Sequence, residues 1–220
     1  EAQDRGKSQE ERGYTYSYDM LGEAARTDAD AQRYYQAYSD AIDSISKRCK
    51  GDVRTNPGIS VKLSALLARY EYGHKERVMN ELMPRALKLA RKAAAANMGF
   101  NIDAEEQDRL DLSLDVIEAI LSDPELKDWQ GFGVVVQAFG KRASQTLDWL
   151  YALSEKLDRR IMVRLVKGAY WDAEIKRAQV MGLSDFPVFT RKACSDVAYL
   201  AGARKLLGMT DRIYPQFATH

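Results

Sequence analysis

Five short apolar runs each carry one polar side chain near the C-terminal end. They are residues 59–63 with Lys62, 100–104 with Asp103, 133–138 with Gln137, 161–166 with Arg164 and 213–217 with Gln216. Stretches with helical spacing separate them, so the order reads β-α-β-α, the order of a parallel sheet with helices packed against it. A buried strand gains nothing from an unpaired charge, and any one of these residues alone is explained by a strand end reaching water. Five at the same end point instead to a shared site at the C-terminal mouth of a (β/α) barrel.

The 220 residues suffice for one domain with a large core. A net charge of +1 gives no electrostatic case for nucleic acid or an anionic membrane. The charged segment 1–12 lacks the apolar centre of a signal peptide, and no run reaches bilayer-spanning length. The two cysteines, Cys49 and Cys194, do not make a disulfide framework, and a reducing cytosol is the simplest setting. With only His74 and His220 beside them, no metal centre is expected, and the chemistry falls to carboxylates or an organic cofactor.

Residues 1–12 read as an N-terminal arm, either a solvated helix or frayed chain, and 13–220 as the barrel domain. The alternating aromatics of 14–21 predict a short strand. Thr27, followed by Asp28 and Asp30, is a helix N-cap, and Tyr34, Tyr35, Tyr38, Ile42 and Ile45 give that helix a packing face to about Arg48. Further helices are expected over about 75–97, 107–122, 142–157, 171–182 and 190–208. A full (β/α)₈ barrel takes about 250 residues, and five βα units fill this length. The barrel is therefore expected to be incomplete at the C-terminus, with an open sheet as the other possibility.

The densest chemical signal is RLVKGAYWD at 164–172, where a strand delivers two cations, Gly168 permits close backbone approach and two aromatics open a helix. Cations with helix-start N–H groups suit a phosphate or an electron-rich ring; a plain strand-to-helix turn with Trp171 packed on the core is the competing reading. Asp103 lies on its strand, able to orient Lys62 or bind a ligand, whereas Glu105 and Glu106 are read as acids favouring a helix N-terminus. Thr190, as a cap, with Arg191 and Lys192 resembles a phosphate clamp at the start of the last helix; a solvated helix start is the competing reading. No strained nucleophile elbow, Cys–His pair or glycine-rich nucleotide fingerprint occurs.

At these motifs the chain resembles the proline dehydrogenase domain of the bacterial bifunctional flavoenzyme family proline utilization A. The matching segments are YSYDMLGEAA (16–25), GISVKLSA (58–65), IDAEE (102–106), VQA (136–138), VRLVKGAYWD (163–172), EIKRAQ (174–179), FTRK (189–192) and IYPQFATH (213–220). They extend over nearly the whole chain from about Gly13.

The resemblance implies a distorted (β/α)₈ barrel binding FAD at its C-terminal mouth. It also implies oxidation of L-proline to Δ¹-pyrroline-5-carboxylate, with a quinone as electron acceptor. On this basis Lys62 holds the proline carboxylate, Asp103 supports it, and Ala169 and Tyr170 line the substrate pocket. Gln137 and Arg164 bond the isoalloxazine, Arg164 near N5. Val166, Lys167, Gly168, Trp171, Phe189, Thr190, Arg191, Lys192, Gln216, Ala218, Thr219 and His220 complete the cofactor site. The implied partners include an aldehyde dehydrogenase domain in the parent protein, with no nucleic acid bound by this segment. The implied location is cytoplasmic, with peripheral association at the inner membrane face. The family's late helix with its Arg-Arg carboxylate clamp lies outside these residues, so a non-catalytic fragment or interaction module is the alternative expectation.

Overall fold

The computed structural model describes residues 6, 8–20 and 22–218. Six strands form one parallel sheet: β1 (Ser17–Asp19), β2 (Gly58–Val61), β3 (Gly99–Ile102), β4 (Phe132–Gln137), β5 (Ile161–Val166) and β6 (Ile213–Phe217). Their spatial order equals their chain order, β1 to β6, the sequential winding of a barrel rather than of a doubly wound sheet. Helix α1 (Asp28–Ser46) joins β1 to β2. Helices α2 (Met83–Ala95), α3 (Leu110–Leu121) and α4 (Ala143–Lys156) join the next three pairs, and both α5 (Trp171–Val180) and α6 (Lys192–Leu207) lie between β5 and β6.

Side chains alternate across each strand, so parallel register sorts them into two faces. Ile59, Val61, Phe100, Ile102, Phe132, Val134, Val163 and Leu165 point to the helices and are buried in one core. The opposite face carries Ser60, Asn101, Gly133, Met162 and Tyr214 in one register row. In a flat sheet β1 and β5 would stand about 19 Å apart, four strand spacings. Yet Arg164 on β5 donates a hydrogen bond to Ser17 on β1 at 3.2 Å. One side chain makes that contact only if the sheet curls strongly, with the polar face inside.

Thr27 caps α1 in a reciprocal capping box: Asp30 N–H donates to its hydroxyl, and its own N–H donates to the Asp30 carboxylate. Tyr38, Ile42 and Ile45 form the buried face of α1. The helix expected over 75–97 is interrupted: a short α-turn (Lys75–Arg77) runs into a π-helical stretch (Val78–Leu82) before α2. Pro84 sits at the start of α2, has no N–H and crowds the preceding turn, and the wider π-turn accommodates its ring. The predicted Thr190 cap is corrected: the N-cap of α6 is Arg191, and no side chain caps that helix.

Candidate functional site

Lys62 and Asp103 lie one residue beyond β2 and β3, on the inner face of the sheet. The Lys62 ammonium donates to both Asp19 oxygens at 2.9 and 3.0 Å and to Asp103 Oδ2 at 2.9 Å. These bonds occupy all three of its N–H groups. Burial alone would lower the Lys62 pKa, but the hydrogen bonds it donates to Asp19 and then to Asp103 raise it overall, so the side chain is charged. Burial raises the Asp103 pKa, and the Lys62 contact opposes it. Arg164 Nη1 lies 3.9 Å from Asp103 Oδ1. Lys62, Arg164, Asp19 and Asp103 thus gather at the C-terminal ends of β1, β2, β3 and β5 as a charge-balanced set.

The rim above this set is tied by amide contacts. Gln137, at the end of β4, donates to the Glu105 carbonyl at 2.9 Å and accepts from Ala169 N–H at 3.1 Å. Its amide therefore joins the loops after β3 and β5. Glu105 and Glu106 stand at the start of the 3₁₀ turn Gln107–Arg109 that runs into α3, as expected, with Glu106 at the N-cap. The Glu105 carboxylate is buried as well: it accepts from Ser64 N–H at 3.0 Å, and burial raises its pKa. Ser64 in turn accepts from Ala24 N–H through its hydroxyl and from Ala25 N–H through its carbonyl. That anchors the loop after β1 over the site, where Tyr170 donates to Glu23 Oε2 at 3.0 Å. Burial, then the Glu23 contact, raises the Tyr170 pKa.

The turn after β5 is built around Gly168, at φ +134°, where a Cβ would meet the Phe139 ring at 2.6 Å. Trp171 is not a core residue; it is 40% exposed, and its Nε1 donates to the Phe189 carbonyl at 2.8 Å. Lys167 and Lys192 converge on one carboxylate, Asp196, at 2.7 and 2.6 Å. Arg191 is exposed beside them. Among the described residues the buried Gln216 Oε1 has no hydrogen-bond partner, and Ala218 N–H donates to the Leu165 carbonyl. Thr219 and His220 lie outside the described residues. A cavity of about 290 Å³ opens at the N-terminal ends of the strands, beside Thr15, Arg54, Gly58 and Gly99, and reaches inward to Ser17, Asn101, Arg164 and Gln216; Lys62 and Asp103 do not line it.

These groups fit a flavin nucleotide. The orphaned Gln216 acceptor calls for an N–H donor such as a ring imide. The two lysines and Arg191 offer cationic groups to phosphates, and the exposed Trp171 offers a flat ligand an aromatic face. Among the described residues no group of three or more His, Cys, Asp or Glu side chains could hold a metal ion, and no helix is long and apolar enough to cross a membrane.

The contributors that escaped the sequence reading are Ser17, Asp19, Ser60, Glu23, Ser64 and Asp196. Strand period offered a signal for three of them, since Ser17 and Asp19 share a face, and Ser60 precedes Lys62 by two. Nothing local pointed to Glu23, which reaches Tyr170 across 147 residues of chain.

The proline dehydrogenase family profile matches residues 2–220. The chain is 53% identical over 221 residues to the bifunctional protein PutA of Escherichia coli K12, covering 100% of this chain and 17% of that protein. It is 54% identical to the Rhizobium meliloti protein of the same description, covering 100% of this chain and 18% of that one. It therefore spans about a sixth of the length of these curated relatives. A crystal structure of a Bradyrhizobium japonicum proline utilization A variant superposes with a TM-score of 0.92 at 57% identity, covering 96% of this chain and 22% of that one. Proline utilization A from Bdellovibrio bacteriovorus, solved after inactivation by N-propargylglycine, also gives 0.92, at 28% identity, covering 100% of this chain and 24% of that one.

Proposed function

Because the chain belongs to the proline dehydrogenase family, we propose that its inner-face site oxidises L-proline to Δ¹-pyrroline-5-carboxylate. A hydride leaves C5, a proton leaves the ring nitrogen, and a C=N bond forms between them. FAD, when bound, supplies the two-electron acceptor for that hydride, and a quinone takes the electrons onward. Inactivation of a relative by N-propargylglycine, a substituted amino acid, supports a site for amino-acid substrates.

The observation that carries this reading is the charge-balanced set at the strand ends. Proline is a zwitterion, so a site with matched charges takes it without net desolvation of one sign. The proline carboxylate binds Lys62 by replacing Asp19, which is 54% exposed, while Asp103, at 15%, stays in place and keeps the ammonium oriented. Arg164 sets a fixed positive charge beside the reacting region, which stabilises the electron-rich reduced isoalloxazine. Ala169 and Tyr170 close the pocket from the rim that Gln137 holds. Val166, Lys167, Gly168, Trp171, Phe189, Thr190, Arg191, Lys192, Gln216 and Ala218 make up the cofactor side. A quinone acceptor and docking of the parent protein at a membrane surface complete the reading.

Anaerobic addition of proline to the flavin-loaded protein should bleach its visible flavin absorption. Lys62→Met should demand far more proline for the same bleaching. Flavin that stays oxidised in the unmodified holoprotein at saturating proline would overturn the assignment.

A further inference from the structure

Arg164 leaves β5 and crosses the inside of the curled sheet. Its Nη1 donates to Ser60 Oγ at 3.2 Å and its Nη2 to Ser17 Oγ at 3.2 Å, and the two hydroxyl oxygens are 3.3 Å apart. Asp103 Oδ1, at 3.9 Å from Nη1, is within ion-pair range but too far for a hydrogen bond. The partners that fix the guanidinium are therefore two serines from β1 and β2, 147 and 104 residues away in the chain.

We propose that Ser17 and Ser60 are a hydroxyl clamp that positions the Arg164 guanidinium for the oxidation; the inference rests on the role of Arg164 given above. A guanidinium is a rigid planar fork, so holding both terminal nitrogens fixes the orientation of its plane as well as its location. The serine pair is itself hydrogen-bonded. One hydroxyl spends its proton on the other, and both oxygens keep lone pairs for the arginine. Ser60 is buried, so its hydroxyl has no ready exchange for water.

The neutrality of the clamp is central. A carboxylate at the same place would hold Arg164 more tightly but cancel the charge that the reaction uses. Two hydroxyls hold the group and leave that charge uncompensated by a direct partner. Asp103, the nearest anion, is already engaged by Lys62 at 2.9 Å. Ser17 and Asp19, and likewise Ser60 and Lys62, are two residues apart on one face. The clamp and the substrate-facing charges are therefore successive inward positions of the same two strands.

The test uses the flavin-loaded protein and four variants: Ser17→Ala/Ser60→Ala, Arg164→Met, the triple combination, and Ser60→Thr. Three quantities are read: the limiting rate of anaerobic flavin reduction at saturating proline, the half-saturating proline concentration, and the flavin midpoint potential. The serine double variant should lose about tenfold in limiting rate, the scale for loosening one positioned charge. Its midpoint potential should fall, because reduced flavin loses stabilisation, and its half-saturation should stay within about twofold of the parent. Adding Arg164→Met should cause no more loss than Arg164→Met alone, and Ser60→Thr should retain the parent rate. If the double variant does not fold, Ser17→Ala alone, on the exposed edge strand, should show the same changes in smaller measure. Parent-like rate and potential in the serine variants, or losses that add in full to those of Arg164→Met, overturn the clamp. If Arg164→Met itself changes neither rate nor potential, the role of Arg164 falls and the clamp falls with it. If Arg164→Met lowers both and the serine variants lower neither, only the clamp falls.

Discussion

Lys62 has three N–H groups and three hydrogen bonds, so a ligand carboxylate reaches it only by displacing one partner. Asp19 is the exposed partner, and on the proposed function it is the one that substrate would displace. Asp19→Asn should therefore lower KM for proline, by up to about fivefold, the scale of one exposed ion pair. Steady-state kinetics decides, and an unchanged or raised KM rejects the competition. A second residue-scale prediction concerns Glu174, which is buried on α5 and accepts from Gln107 N–H at 2.6 Å. Burial raises its pKa above the ordinary Glu value of 4.5. Between that ordinary value and the raised one the unfolded chain has lost the proton while the native chain keeps it. Native protein then binds more protons, so this residue's contribution falls as pH rises through the window and stays low above it. Glu174→Gln keeps an acceptor for Gln107 and removes the charge. It should raise the urea midpoint at pH 7 and flatten the decline above pH 4.5; equal midpoints at pH 7 would exclude a penalty from the buried charge.

At the scale of elements, helix α1 and the turn after β5 depend on different physics. The start of α1 is local chemistry. Thr27→Ala removes the hydroxyl that accepts Asp30 N–H and should cost about 1 kcal/mol in chemical denaturation. The Gly168 turn is set by both backbone and packing. At φ +134° any side chain is strained, and the Phe139 ring already fills the Cβ position. Gly168→Ala should cost about 1–3 kcal/mol from the backbone alone and more from moving the ring. A thermal midpoint within a degree of the parent would show that the turn relaxes freely. The cap was legible in the residues, as were the helix stops at Asn97, with φ +49°, and before Pro124. The π-helical stretch was not legible, because Val78–Leu82 has ordinary helical composition and the strain originates two residues later, at Pro84.

Across the whole molecule the outer surface is uneven. Val197, Leu200 and Leu207 on α6 are exposed, as are Val180, Met181 and Leu183 at the end of α5, while the inner side of α6 buries Gly202 and Leu206. A helix apolar on both sides is a helix made to be covered. Expressed as these 220 residues, the chain should aggregate, and Val197→Lys with Leu200→Glu should raise its soluble yield without changing its far-UV circular dichroism. An unchanged yield would place the liability elsewhere. Strand period and helix caps are properties of neighbouring residues, so the parallel α/β order, the inward-facing Lys62, Asp103, Gln137, Arg164 and Gln216, and the family itself were readable from the chain alone. The partners of those residues were not. Lys62 takes Asp19 across 43 residues, Arg164 takes Ser17 across 147, and Lys167 and Lys192 share Asp196. Such contacts are made by the curl of the sheet, which brings β5 to β1. Curl comes from strand twist and from the packing of all the helices together, and no local pattern of residues encodes which side chains will meet inside it.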